Sequence, residues 1–413
     1  LWTLGGVIAI CGALTLAELA AALPKTGGDY VYLYEAYGPL TAFLSGWVSF
    51  LMGFSGPCAS TAYAAAKYAL APLRLSGDVE SYAERGLATA AILTFAAIHV
   101  SGRKRTSVVQ GWITALKVAV LLLLIVGGLS VGWRNTANLQ DFRPVDGDLT
   151  VAMLFSLVYI YYAYTGWNGA SYLAGEIRNP EKVLPRAILA GTGIVMLLYL
   201  AVNLVYGLAL STADIRAIVD DPGNTHGFKP DAVAPIAEIA ARRLFGESWS
   251  DPLSVAIGLM MLSSLSVYLL IGPRVIYAMA KNGQFPSIAA RLRPGSQTPA
   301  VATLFQIAAT LALLWSGSFE SLLVYASVGL SLFSLLSMSA IFVLRWKRPD
   351  LPRPFRAPGY PLTPAVYLAL TGLLLGAAFW SRPLVSTISL LSMLVGVPIY
   401  YLTQWRARTA PSA

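Results

Sequence analysis

The chain has 413 residues, of which 56% are apolar and only 12% charged, with a mean hydropathy of +0.64. A soluble domain of this length carries about twice that share of charge, so the composition excludes a water-solvated globular protein and selects a polytopic helical one whose solvent is the lipid bilayer. The net charge of +9 needs no nucleic acid partner, because membrane proteins collect Lys and Arg on their cytoplasmic side.

Runs of roughly 20 apolar residues mark membrane crossings. Eleven are predicted, at about 2–22, 39–70, 86–100, 109–131, 149–174, 187–210, 252–273, 299–316, 320–344, 362–380 and 384–404. The second is long enough to require tilt and the third is short, so a regular parallel bundle is not expected. The chain starts at Leu1 inside the first crossing, with no initiator methionine and no signal-peptide pattern, so further sequence is expected upstream.

With the first residue outside, the inner loops hold 18 of the 29 basic residues and 5 of the 20 acids, and the outer side holds 10 and 14. That asymmetry fixes the orientation by the positive-inside rule. Glu18 and Lys117 remain within or at the ends of crossings, and Trp133, Trp315, Trp346, Trp380 and Trp405 fall at crossing ends as interfacial anchors.

The longest polar stretch, about 211–250, lies outside, and its segment 232–245 reads as a short amphipathic helix capping the outer mouth. The stretch 345–364 holds six prolines and reads as a stiff cytoplasmic connector. Cys11 and Cys58 both lie within crossings, so no structural disulfide is expected.

Two places break the apolar logic. Lys117 sits about two turns into the fourth crossing, where a buried ammonium needs partner oxygens unless it snorkels to the interface. The run Tyr162-Ala163-Tyr164-Thr165-Gly166-Trp167-Asn168-Gly169 puts two glycines, a Trp and an Asn inside a crossing. Glycine pairs serve tight helix packing, but the added Thr and Asn point to an unwound helix that presents its backbone to a substrate. Glu18 and Glu176 read as structural acids near inner helix ends, with Lys25, Arg178 and Arg186 as partners.

Enzyme chemistry is not expected. Gly128-Leu129-Ser130-Val131-Gly132 matches the hydrolase nucleophile pattern only formally, since it ends a membrane helix instead of joining a strand to a helix. His99 and His226 have no metal-site spacing, so neither a metal nor a cofactor is expected.

The text that carries a family likeness runs through the chain in order. It comprises Gly12-Ala13-Leu14, Ala17-Glu18-Leu19, Pro24-Lys25-Thr26-Gly27-Gly28-Asp29-Tyr30, Ala163-Tyr164-Thr165-Gly166-Trp167-Asn168, Glu176-Ile177-Arg178-Asn179-Pro180-Glu181, Leu184-Pro185-Arg186, and the stretches 274–286 and 345–364. By these motifs the chain resembles the amino acid–polyamine–organocation transporters, and among them the L-type amino acid transporter group and its bacterial relatives.

The resemblance implies an all-α membrane protein with an inverted five-plus-five repeat, eleven of twelve helices being visible here and the first missing. Residues 1–361 would form the transporter core with its cytoplasmic connector, and 362–413 two C-terminal helices and a tail. The missing helix would carry the glycine-rich segment that binds the substrate carboxylate.

The resemblance also assigns residues. Tyr162 would be an aromatic gate, the carbonyls of Tyr162, Ala163 and Thr165 would accept the substrate ammonium, and Gly166, Trp167 and Asn168 would shape the broken backbone. Met52 and Gly53 would form the pocket wall, and Thr165 departs from the family's usual Gly or Asp. Lys117 would stand in for the sodium ion of distant relatives, with Ser264 facing it, and Tyr268 would narrow the pathway.

The expected function is alternating-access transport of an amino acid, sodium-independent, by proton symport or exchange. The visible site offers no carboxylate for a cationic side chain, so a neutral substrate is expected, with polyamines or cationic amino acids as the alternative and a receptor or channel as the rival class. The chain is expected in a cell membrane, as in the bacterial inner membrane. Some eukaryotic relatives are disulfide-linked to a second subunit through an outer loop that here, at 72–85, has no cysteine, so no such subunit is expected.

Overall fold

A computed structural model of the chain describes residues 1–140, 149–219, 236–316, 319–381 and 383–409. The regular elements among the described residues are all helical. They run α1 (Trp2–Ala22), α2 (Asp29–Tyr37), α3 (Pro39–Val48), a π-helical turn (Ser49–Ser55), α4 (Gly56–Leu70), α5 (Gly77–Ser101), α6 (Arg103–Gly132), α7 (Leu149–Tyr164), a 3₁₀ run (Trp167–Glu176) and α8 (Pro180–Ala209). Then come α9 (Thr212–Val219), α10 (Ile236–Phe245), α11 (Ser250–Lys281), α12 (Ala300–Ser316), α13 (Phe319–Lys347), α14 (Leu362–Ser381) and α15 (Pro383–Thr409).

Each of the eleven predicted crossings falls on one of these helices or on a consecutive group of them. Among the described residues, 7 helical stretches are long and apolar enough to cross a membrane, and Ala300–Ser316 and Leu362–Ala377 are apolar but shorter. The third crossing is longer than its hydropathy suggests. Helix α5 begins at Gly77 with Asp78 and Glu80 in its first turn, where carboxylates favour the positive end of the helix dipole but hide the helix from an apolar scan. Of the predicted outer cap, Ile236–Phe245 is helical and packs on α6, α8 and α11. Residues 232–235 and His226 lie outside the described residues.

The packing repeats with an offset of five crossings. The first visible crossing, α1, packs most extensively on the sixth, α8, and α4 of the second packs most extensively on α11, the seventh. Both contacts involve small residues. A Cβ on Gly258 would lie 2.9 Å from the Ala65 carbonyl oxygen, closer than atoms pack, so glycine sets the helix separation there, while one on Gly6 would lie 2.7 Å from the sulfur of the flexible Met196 side chain. This pairing is what two related five-helix units produce, as in an all-α transporter of the expected class.

The main core gathers side chains from α1, α2, α3, α8, α11, α13, α14 and α15. Tyr367 of α14 is fully buried in it, so the last two helices share one core with the rest. Trp133, Trp315, Trp346 and Trp380 are exposed at helix ends, as interfacial anchors should be. The Trp405 side chain lies outside the described residues.

The loops read as cytoplasmic converge on one end, and their ion pairs differ from expectation. Glu18 pairs with Arg345 (2.8 and 2.6 Å) and Arg353 (3.6 Å), and accepts the Ala357 backbone N–H at 2.6 Å. Glu176 pairs with Arg274 (3.0 Å) and Arg103 (3.3 Å). Lys25 pairs with Glu35 instead, at 2.9 Å. The expected partners Lys25, Arg178 and Arg186 are near in sequence, but helix packing brings distant arginines closer.

Candidate functional site

Helix α7 ends at Tyr164, and the chain turns at Thr165 and Gly166 before resuming as the 3₁₀ run. Gly166 has φ +101° and ψ −8°, a backbone region that a Cβ disfavours. The break therefore falls inside the motif that predicted it. Thr165 and Gly166 are exposed, while Trp167 and Asn168 are half-buried.

The segment after the break is held from three sides. The Trp167 indole meets the Tyr367 ring edge-on at 5.9 Å and lies so near Gly12 that a Cβ there would be 2.7 Å from it. Asn168 Nδ2 donates to Asp29 Oδ2 at 2.9 Å, Tyr172 OH donates to the same oxygen at 3.0 Å, and Ser171 Oγ closes on the Asn168 carbonyl at 2.7 Å. These contacts fasten the broken segment to α1, α2 and α14.

The backbone carbonyls are less open than expected. Tyr199 OH donates to the Ala163 carbonyl at 2.8 Å, leaving that oxygen one lone pair for a substrate ammonium. The Tyr162 side chain lies outside the described residues.

Met52 and Gly53 lie in the π turn, both buried. A Cβ on Gly53 would stand 3.0 Å from Leu330 of α13. The π turn reaches the 3₁₀ run through Phe54, whose ring meets Tyr172 edge-on at 5.4 Å, so two irregular helix segments meet in the core. The π turn was not anticipated, although Pro57 signals it. Proline lacks the N–H that an α-helix would give to the Gly53 carbonyl, and the Gly56 N–H reaches back five residues to Leu51, the π pattern.

Lys117 Nζ donates to Ser264 Oγ at 3.0 Å, joining α6 to α11, and both residues are half-buried. The ammonium has thus found a partner oxygen within the helices. Tyr268, one turn on from Ser264, packs against both the main core and the cluster formed by α4, α5, α11 and α12. His99 is buried, with Nε2 2.9 Å from the Ser266 carbonyl and Nδ1 3.3 Å from Thr106 Oγ1, a hydrogen-bonded core residue.

At the inner end lies a cavity of about 610 Å³ whose lining includes Lys25, Tyr30, Glu35, Arg103, Glu176 and Arg274. Arg274 is buried and crosses from α11 to the end of the 3₁₀ run through Glu176, donating also to the Leu270 carbonyl at 2.6 Å. Tyr30 OH donates to Gln284 at 2.7 Å and accepts from Asn282 at 2.9 Å. Sequence reasoning passed over Arg274 as one of many loop cations. Its signal was its place on the last apolar turns of a long helix.

The family profile for amino acid permeases matches residues 1–402. The chain belongs to the amino acid permease family. It is 32% identical over 408 residues to the mouse large neutral amino acids transporter small subunit 2, covering 97% of this chain and 73% of that one. It is 30% identical over 402 residues to the serine/threonine exchanger SteT of Bacillus subtilis strain 168, covering 97% and 87%. The human cystine/glutamate transporter is 28% identical over 404 residues, covering 97% and 77%. This permease is therefore a multi-pass cell-membrane protein of amino acid transport, and its family consists of transporters. Its substrate is an amino acid and its solvent is lipid.

Proposed function

We propose that this permease carries neutral amino acids without sodium, by alternating access, as an exchanger or a proton symporter. The observation that carries this reading is the Lys117–Ser264 hydrogen bond of 3.0 Å. It supplies a positive charge between α6 and α11, where the family resemblance implies that distant relatives use sodium. The broken helix at Thr165 and Gly166, with Met52 and Gly53 on the adjoining π turn, is the proposed substrate region. Tyr162, Ala163, Trp167 and Asn168 frame it.

Selectivity rests on the chemistry those groups lack. None carries a carboxylate, and Asp29 is turned into a buried cluster by Asn168 and Tyr172. A cationic side chain would lose its hydration without a counter-charge. Among the similar proteins, one is named for large neutral amino acids and another for serine and threonine. The first is also called a small subunit. Here the two cysteines are Cys11 and Cys58, both in helices, and transport is proposed to need no subunit disulfide-linked through the loop 72–85.

Competition against radiolabelled alanine in proteoliposomes tests the selectivity. Alanine, serine and threonine should compete strongly and lysine and arginine weakly. Arginine as the strongest competitor would contradict the reading.

A further inference from the structure

We propose that Asp29 is a proton-binding site of this permease, protonated on Oδ1 toward Ser337 Oγ in the arrangement seen here, and that release of the proton frees the segment following the helix break. The proposal deepens the transport reading by naming a site through which proton concentration acts on it.

Asp29 opens α2, and it is 7% exposed. Its Oδ2 takes both hydrogen bonds, from Asn168 and Tyr172. Its Oδ1 is buried without a partner, and so are Ser337 Oγ on α13 and Tyr32 OH one turn along α2. Ser337 is close enough to act on the carboxyl. Three unmatched polar atoms within one buried cluster are costly as they stand. A proton on Oδ1 turns one acceptor into a donor and gives it an acceptor in Ser337.

The surrounding charges leave the carboxylate without a counter-ion. Among the described residues no basic side chain forms an ion pair with Asp29. The cations of this end are committed elsewhere, Lys25 and Arg348 to Glu35, Arg345 and Arg353 to Glu18, Arg274 and Arg103 to Glu176, and Lys347 of α13 to the Ala36 carbonyl at the far end of α2. The titratable groups that act with it are tyrosines, Tyr172 of the 3₁₀ run, Tyr32 of α2 itself and Tyr161 of α7. Packed against α2 from the other side, α11 turns Arg274 to Glu176 and α3 brings no charged residue.

Burial pushes the Asp29 carboxyl above the usual carboxylate range, outweighing the hydrogen bonds that Tyr172 and Asn168 donate to Oδ2. For an acid whose folded value is raised, the stabilisation is present at low pH and is lost as pH rises through the raised value. The charge that then appears is buried beside Tyr32 and Ser337, and hydrating it requires α2 and the 3₁₀ run to part. Because Asn168 is both a ligand of Asp29 and two residues from Gly166, the same separation moves the substrate region. The site thus biases two conformations of one element.

The test is infrared spectroscopy of the full chain in lipid, following the carbonyl stretch of a protonated carboxyl through a pH titration, beside alanine uptake over the same range. The band should be present at neutral pH, fade on alkalinisation and be missing from Asp29→Asn. Removing the acceptor in Ser337→Ala should move the midpoint down by about one pH unit. Uptake by the wild type should change over the same interval, and uptake by Asp29→Asn should be flat. A neutral-pH spectrum unchanged by Asp29→Asn, or a midpoint indifferent to Ser337→Ala, would overturn the proposal. Should Asp29→Asn fail to fold, the wild type and Ser337→Ala decide it alone. A titrating band in a protein that moves no amino acid would leave the proton site standing and remove the substrate reading.

Discussion

Single residues show which polar groups the bilayer-facing sequence could reveal. Glu18 stood out as a lone acid in an apolar helix, but its partner Arg345 is 327 residues away and no local spacing points to it. The pair is well matched. Glu18 is 2% exposed, its two oxygens take the guanidinium fork, and the guanidinium carbon lies 3.6 Å from the centre of the Tyr360 ring. Removing one partner of such a buried pair costs about 3–5 kcal/mol, because the other charge stays behind unpaired. Glu18→Ala should therefore lower the thermal unfolding midpoint of the detergent-purified protein markedly, and an unchanged midpoint would show that Arg345 finds water or another acid. Lys117 was legible for the same reason as Glu18, as a charge out of place. Ser264, 147 residues on, was reached only through family resemblance, since one serine among many in a hydrophobic helix carries no signal. Asp29 escaped notice as a site because its burial is a tertiary effect.

Among the elements, the helix break at glycine was anticipated, and the one that Pro57 signals was not. Thr165 and Gly166 end α7 as the motif indicates, whereas the π turn at Ser49–Ser55 sits inside a stretch that hydropathy read as one long crossing. Gly166 offers a clean test of the break. A Cβ there meets nothing within 4 Å, so Gly166→Ala introduces no clash with neighbouring groups and leaves only the backbone penalty of φ +101°, about 1–2 kcal/mol. The variant should accumulate in the membrane at near-normal yield while its initial uptake rate falls several-fold. Uptake equal to wild type would mean that the left-handed turn does not shape the substrate region.

For the whole molecule, the charge asymmetry of the loops predicted a geometry that hydropathy alone does not contain. Lys25, Arg103, Arg274, Arg345 and Arg348 come from four separate loops or helix ends and gather around the acids Glu18, Glu35 and Glu176 at one end. Which arginine meets which acid was not legible, because it depends on how α1, α11 and α13 cross. The five-crossing offset in helix pairing likewise became visible only in the packing, since glycines such as Gly6 and Gly258 look like any others in an apolar run. The proposed transport puts Lys117 where a sodium ion would otherwise stand. Counterflow decides it most directly. Proteoliposomes loaded with unlabelled alanine should take up radiolabelled alanine faster than empty ones, equally in sodium and in choline at constant pH and ionic strength, and Lys117→Ala should abolish most of that uptake. Uptake that collapses in choline, or survives intact in Lys117→Ala, would contradict that role of Lys117.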